Sequence, residues 1–248
     1  MSTEEAAAAE RGNAPGADAE RPGKAVGVRR SPWWRELPVL VVVALLLSLL
    51  IKTFFVQAFS IPSDSMQNTL QRGDRVLVDK FTPWFGATPQ RGEVVVFRDP
   101  GGWLDEGGPK ENNSVLRGLR KGMAFIGLMP SAEEKDLIKR VIAVGGDTVE
   151  CNRGEPLKVN GIPLNEPYIY PGSAPCDENP VGTIKVPEGH LWVMGDHRND
   201  SWDSRGHVHG PTGGFVPVKD VVGRAFTVVW PIPRWATLPV PATFHRDF

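Results

Sequence analysis

From Leu37 to Ile51 the chain is apolar except at Ser48, and after Lys52 the run resumes as Thr53-Phe54-Phe55-Val56. Carried through Val56 this is about 20 residues, the length that spans ~30 Å of hydrocarbon. Lys52 lies near the far end, where its stem can snorkel to the interface. Arg29, Arg30 and Arg35 precede the run, with Trp33 and Trp34 among them. Arginines beside interfacial tryptophans mark a cytoplasmic helix edge, so the N-terminus is expected inside and everything beyond residue 58 outside. Val56-Gln57-Ala58 resembles a signal-peptide cleavage site, but the apolar run exceeds a usual h-region, which favours a retained anchor.

Beyond the anchor the period changes. Arg75 to Val78, Glu93 to Phe97, Leu137 to Val144, Leu191 to Met194 and Val221 to Trp230 are short runs rich in β-branched residues. Gly and Pro bound most of them, as strands require. Asn160-Gly161, between Val159 and Ile162, predicts a tight hairpin turn. Only Ser114 to Met129 reads as helical. Its Met123 to Met129 run, behind Arg117, Arg120 and Lys121, fits either a segment on a membrane surface or a buried loop or helix. The expected fold is all-β, an antiparallel extracytoplasmic domain (58–248) behind one transmembrane helix (36–57).

Composition sharpens this picture in three places. Residues 1 to about 30 hold almost no large apolar side chains, so a tail over 1–35 is expected to stay disordered on the cytoplasmic side. The 23 prolines and 27 glycines suit a turn-rich β protein. A formal net charge of -1 gives no basic stripe of the kind nucleic acid demands. Oligomeric state leaves no signal.

Candidate chemistry begins directly after the anchor, at Ile61-Pro62-Ser63-Asp64-Ser65-Met66. A serine hydroxyl needs a base within hydrogen-bond reach before it attacks a carbonyl. Histidine is the usual base, yet the spacing of Ser65, His197 and a nearby aspartate lends a triad no support, since triads follow no fixed order. His197, His207 and His209 sit among Gly, Asn and Asp without a His-Glu-x-x-His helix, so a loop fits better than a zinc site. The other base is Lys139, in the otherwise apolar run Asp136 to Val144. Neighbours on a strand face opposite ways, so Lys139 and Arg140 need not share an environment. Burial disfavours the ammonium, and bringing a lysine down toward neutral pH corresponds to about 4 kcal/mol. The competing reading is an edge-strand charge that guards against aggregation. A third stretch, Gly195 to Gly206, reads as a solvated turn or as a support in which Asp203 pairs with Arg205 and Ser201 holds a lysine amine.

These stretches resemble, in order, the sequence boxes of bacterial type I signal peptidases, membrane-anchored serine endopeptidases with a Ser/Lys dyad. Pro62 to Leu70 is similar to Pro-Ser-x-Ser-Met-x-Pro-Thr-Leu, and Gly73 to Lys80 to Gly-Asp-x-x-x-Val-x-Lys. Lys139 to Asp147 is similar to Lys-Arg-x-x-x-x-x-Gly-Asp, and Gly195 to Arg205 to Gly-Asp-Asn-Arg-x-x-Ser-x-Asp-Ser-Arg. With the anchor, the resemblance covers about residues 35 to 230.

It implies Ser65 as nucleophile, Lys139 as general base and Ser63 as an oxyanion donor beside the Ser65 N–H. Ser201 would orient Lys139, and Asp203–Arg205 would support the site. A shallow cleft for small side chains is implied around Ile61, Met66, Leu70 and Ile138, where a preprotein strand adds to a sheet edge and its Ala-x-Ala residues are read. No metal or cofactor is implied; the partners are secretory preproteins and the lipid bilayer. Asn68 and His197 depart from the family pattern, residues 98–135 look like an insertion, and Val56-Gln57-Ala58 is a candidate self-cleavage site. Cys151 and Cys176 would face the oxidising side, where a disulfide between them is expected. Two rival readings remain: a self-cleaving Ser/Lys protease, against which the anchor argues, and a tethered β-domain that binds exported peptides without cleaving them.

Overall fold

The computed structural model describes residues 33–54, 56–80, 86–104, 136–246 and 248. The expected N-terminal tail up to residue 32, the Ser114 to Met129 run and most of the 98–135 insertion lie outside them. The chain divides after Val43 into two units, and the second, Ala44–Phe248, holds every described strand. Helix α1 runs Trp33–Phe54, three residues earlier than expected at its start. Its described side chains, 36–48, are exposed although nearly all are apolar; Leu40 is 66 % exposed and Leu46 61 %. Among the described residues no helix is long and apolar enough to cross a membrane.

Val56 and Gln57, expected to finish the helix, instead open β1 (Val56–Ser60), which pairs with β2 (Arg75–Asp79). The change is understandable: Val56 is β-branched and Phe59 aromatic, side chains that a pleated surface accommodates well. Next come β3 (Val94–Arg98), β4 (Asp136–Val144), β5 (Thr148–Cys151), β6 (Lys158–Val159), β7 (Ile162–Pro163) and β8 (Gly182–Lys185). The series ends with β9 (His190–Met194), β10 (Val216–Pro217), β11 (Val221–Trp230) and β12 (Ala236–Thr237). One sheet has the order β1-β2-β11-β3-β4-β9-β10, with β12 added on β11, and the other β7-β6-β5-β8. Every pairing is antiparallel. The all-β expectation therefore holds for the described catalytic region.

The Asn160-Gly161 turn joins β6 to β7 with φ of 50° and 78°, the left-handed values that a two-residue hairpin needs. β1, β5 and β8 went unread because they are short and partly polar on their open faces. In the large sheet β3 is buried on both sides: Val94 and Val96 join one apolar cluster, Val95 and Phe97 another. This two-sided burial places β4, its neighbour, in the interior.

β4 lies between β3 and β9, so the edge-guard reading of Lys139 is overturned. Nor does either basic residue of β4 reach solvent: Lys139 is 4 % exposed and Arg140 2 %. Lys139 stands opposite Val95 and Arg140 opposite Val94, so they occupy opposite faces.

Candidate active site

The Ser63–Ser65 stretch is the connection between β1 and β2. Its base is closed by Ile61 N–H to Asp74 O at 2.9 Å and Gly73 N–H to Ile61 O at 2.8 Å. Asp74 is fixed in turn by Arg234 Nε and Nη2, each at 2.9 Å. Inside the loop, Met66 and Leu70 turn into the apolar cluster while Ser63 stays exposed. Apolar anchoring on one side of a short loop thus leaves its serines facing the rest of the site.

Lys139 Nζ donates to Ser65 Oγ at 2.5 Å, and both side chains are buried. Ser63 Oγ lies 3.3 Å from Ser65 Oγ. Burial pushes the Lys139 amine well below the ordinary lysine value, to about 8; the Asp203 carboxylate acts against this and the Arg205 guanidinium with it. Asp203 is itself held low: burial alone would raise it, but the charge and hydrogen bonds of Arg205 prevail. Arg205 reaches Asp203 from Nε at 2.9 Å and from Nη2 at 2.8 Å, with both side chains wholly enclosed. Thus the lysine sees an anion already neutralised by a fixed cation. A low pKa follows.

The structure brings Ser63, Ser65, Lys139, Asp203 and Arg205 together. Ser201 differs in detail. It is buried against Gly195 beside the Ser65 carbonyl, but among the described residues its hydroxyl has no hydrogen-bond partner. The expected Ser201–Lys139 bond is therefore not formed here. Ile61, Met66, Leu70 and Ile138 also share one place, a buried cluster with Val76, Val78 and Val94. They are packed core, Ile138 being the most exposed at 8 %, so the expected shallow cleft is not open among the described residues.

Several participants escaped the sequence reading. Arg140 binds Asp196 through Nε at 2.8 Å and Nη2 at 2.6 Å, and Gly92 O through Nη1 at 2.7 Å. Thr69, in the serine loop, donates to the same Asp196 carboxylate. The His197 N–H donates to Ser65 O at 3.1 Å, pinning the serine's own backbone. Arg198 is enclosed with Glu166, and Tyr168 OH donates to Glu166 at 2.7 Å. The available signal was position: Arg140 and Asp196 each sit within the recognised stretches, and an arginine inside the otherwise apolar run Asp136 to Val144 needs a carboxylate partner.

The histidines do other work. His197 stacks on Tyr170 with ring centroids 4.1 Å apart, and His207 on Trp103 at 4.3 Å. Among the described residues no group of three or more His, Cys, Asp or Glu side chains is arranged to hold a metal. Cys151 and Cys176 form a disulfide, with Cα atoms 5.4 Å apart.

Residues 34–230 match the model of the family described as signal peptidase, peptidase S26. A protein named "Probable signal peptidase I" from Mycobacterium leprae is 42 % identical over 240 residues, 85 % of this chain and 82 % of that protein. Signal peptidase I of Mycobacterium tuberculosis is 41 % identical over 249 residues, 91 % of this chain and 84 % of that protein. "Probable signal peptidase I-1" of Synechocystis is 38 % identical over 210 residues, 84 % of this chain and 89 % of that protein.

Proposed function

The chain belongs to the signal peptidase family, peptidase S26, and on that premise we propose that it cleaves signal peptides from exported preproteins with Ser65 as nucleophile and Lys139 as general base. The carrying observation is the 2.5 Å approach of Lys139 Nζ to Ser65 Oγ within a buried site. In the neutral amine the Nζ lone pair takes the Ser65 proton as Oγ attacks the scissile carbonyl. The protonated amine then gives that proton to the leaving amide nitrogen, and water resolves the acyl-enzyme by the same route. Ser63 Oγ and the Ser65 N–H receive the oxyanion; a donor of this kind is worth about 3–4 kcal/mol in the transition state. Asp203 and Arg205 take no proton. They fix the field in which Lys139 ionises.

The bond cleaved follows the small residue that ends an Ala-x-Ala sequence. Ile61, Met66, Leu70 and Ile138 supply the apolar surface for those methyl groups, the cluster yielding when the peptide strand docks. The enzyme is anchored by α1, with the N-terminus cytoplasmic and residues 58–248 outside. The exposed apolar side chains over 36–48 and the arginines before them support this orientation. The test is incubation of the detergent-solubilised full chain, Ser65→Ala and Lys139→Ala with a preprotein. Processing by the wild type alone is expected; equal processing by all three, or none by the wild type, would sink the dyad.

A further inference from the structure

Residues 166–176 form no regular element, yet they touch Arg205 and several of the residues that surround the Ser65–Lys139 pair. Glu166 holds Arg198 through both carboxylate oxygens. The Tyr168 carbonyl accepts from Asn68 at 3.3 Å, and its ring lies 4.6 Å from the Arg140 guanidinium carbon. The Tyr170 N–H donates to Asp196 O at 2.9 Å while its ring stacks on His197, the residue whose N–H pins Ser65 O. Pro175 O accepts from Arg205 Nη1 at 2.8 Å, and the next residue, Cys176, is bonded to Cys151 in β5.

We infer that this segment is a positioning strap for the Ser65–Lys139 pair, with the Cys151–Cys176 disulfide as its fastening. The inference rests on the Ser/Lys reading above. A segment outside any sheet ladder must offset its ordering entropy through scattered backbone and side-chain contacts, and closing it covalently removes open states from the ensemble. Unfastened, the strap withdraws the Pro175 carbonyl from Arg205 and the Tyr170 ring from His197. The first change admits water to Asp203–Arg205, and the second loosens the hydrogen bond on Ser65 O.

Both consequences can be measured. Displacing a reacting group by about 1 Å costs up to roughly 100-fold in rate, so kcat falls while KM moves little. The charges that act on Lys139 are Asp203, Arg205, Asp196 and Asp200. Water entry relieves the burial that holds the lysine low, the largest of the effects on it, so the midpoint of the kcat–pH profile moves up.

The experiment uses the full chain in detergent with an exported preprotein, comparing wild type, Cys151→Ser/Cys176→Ser, Tyr170→Ala and Tyr170→Phe. Circular dichroism and thermal melting report folding, and Ser65→Ala serves as control. Expected are kcat about tenfold lower or more for the double serine and Tyr170→Ala variants, a midpoint at higher pH for both, and recovery in Tyr170→Phe, which keeps the ring. A folded double serine or Tyr170→Ala variant with wild-type kcat and midpoint overturns the strap. If the double serine variant does not fold, the Tyr170 pair decides alone. Full processing by Ser65→Ala would instead overturn the Ser/Lys reading beneath it.

Discussion

Lys139 and Arg140 are consecutive cations on one central strand, both buried, and the fold treats them in opposite ways. Arg140 receives a complete carboxylate from Asp196 and is held charged; burial works against the charge, but the pairing outweighs it. Lys139 has no carboxylate within salt-bridge distance among the described residues, only the Ser65 hydroxyl, and is pushed down to about 8. Alternation along the strand makes this possible, because one face can supply an anion and the other withhold it.

The kcat–pH profile follows from the lysine. With a midpoint near 8, activity should rise about tenfold per pH step below it and level off above, as the neutral base accumulates. A flat profile from pH 6 to 9 contradicts the assignment. Stability carries the same signature. Between pH 8 and the ordinary lysine value the unfolded chain keeps a proton that the folded chain has lost, so stability rises with pH there. Below pH 8 the folded protein carries a charged, buried amine. Lys139→Met should abolish processing yet raise the melting temperature at pH 7, the gain being at most about 3 kcal/mol.

Asp203 and Arg205 should shift that profile in opposite directions. Arg205→Ala leaves a bare carboxylate facing Lys139 and raises the midpoint, whereas Asp203→Asn leaves a bare guanidinium and lowers it. Each breaks a buried ion pair, at roughly 3–5 kcal/mol of stability, so the profiles must be taken at a temperature where both variants remain folded. Midpoints that move the same way would refute the electrostatic account.

Elements with a strong period were legible: β4, β9 and β11 lie where runs of Val, Ile and Leu placed them, and Asn160-Gly161 turned as its chemistry requires. The proposed reacting residues were legible only through the order of the four stretches, since nothing local tells a lysine base from a charge at a sheet edge. Three things were hidden for a physical reason. That Arg140 is also buried depends on Asp196, 56 positions away. The strap works through backbone carbonyls and ring faces, which leave no pattern in side-chain polarity. Ser201 looked like a lysine ligand by type, but its side chain is packed against Gly195 and its hydroxyl has no partner among the described residues.

The Asn160-Gly161 turn offers a control remote from the site. A Cβ at Gly161 would meet nothing within 4 Å, but φ is +78°, so the cost is purely conformational. Gly161→Ala should therefore lower stability by about 1–2 kcal/mol and leave kcat unchanged. A changed kcat with intact folding would mean that the small sheet couples to the site.

Gly195 makes the sharpest steric prediction. Its N–H donates to Asp203 at 3.0 Å and its carbonyl accepts from Arg198 Nε at 2.9 Å, so its backbone cannot retreat. An added Cβ would run into both the Ser201 hydroxyl and the Ser65 carbonyl oxygen. The first obstacle is a side chain that can rotate. The second is the backbone of Ser65, the proposed nucleophile, itself pinned by the His197 N–H. Gly195→Ala should cost roughly 1–3 kcal/mol of stability through overpacking and lower kcat by about 10- to 100-fold through displacement of Ser65, with KM nearly constant. Adding Ser201→Gly should restore stability more than kcat, because the clash with Ser65 remains. Wild-type kcat in Gly195→Ala would show that the Ser65 backbone is free to yield, and that its position is not set by the Gly195 stretch.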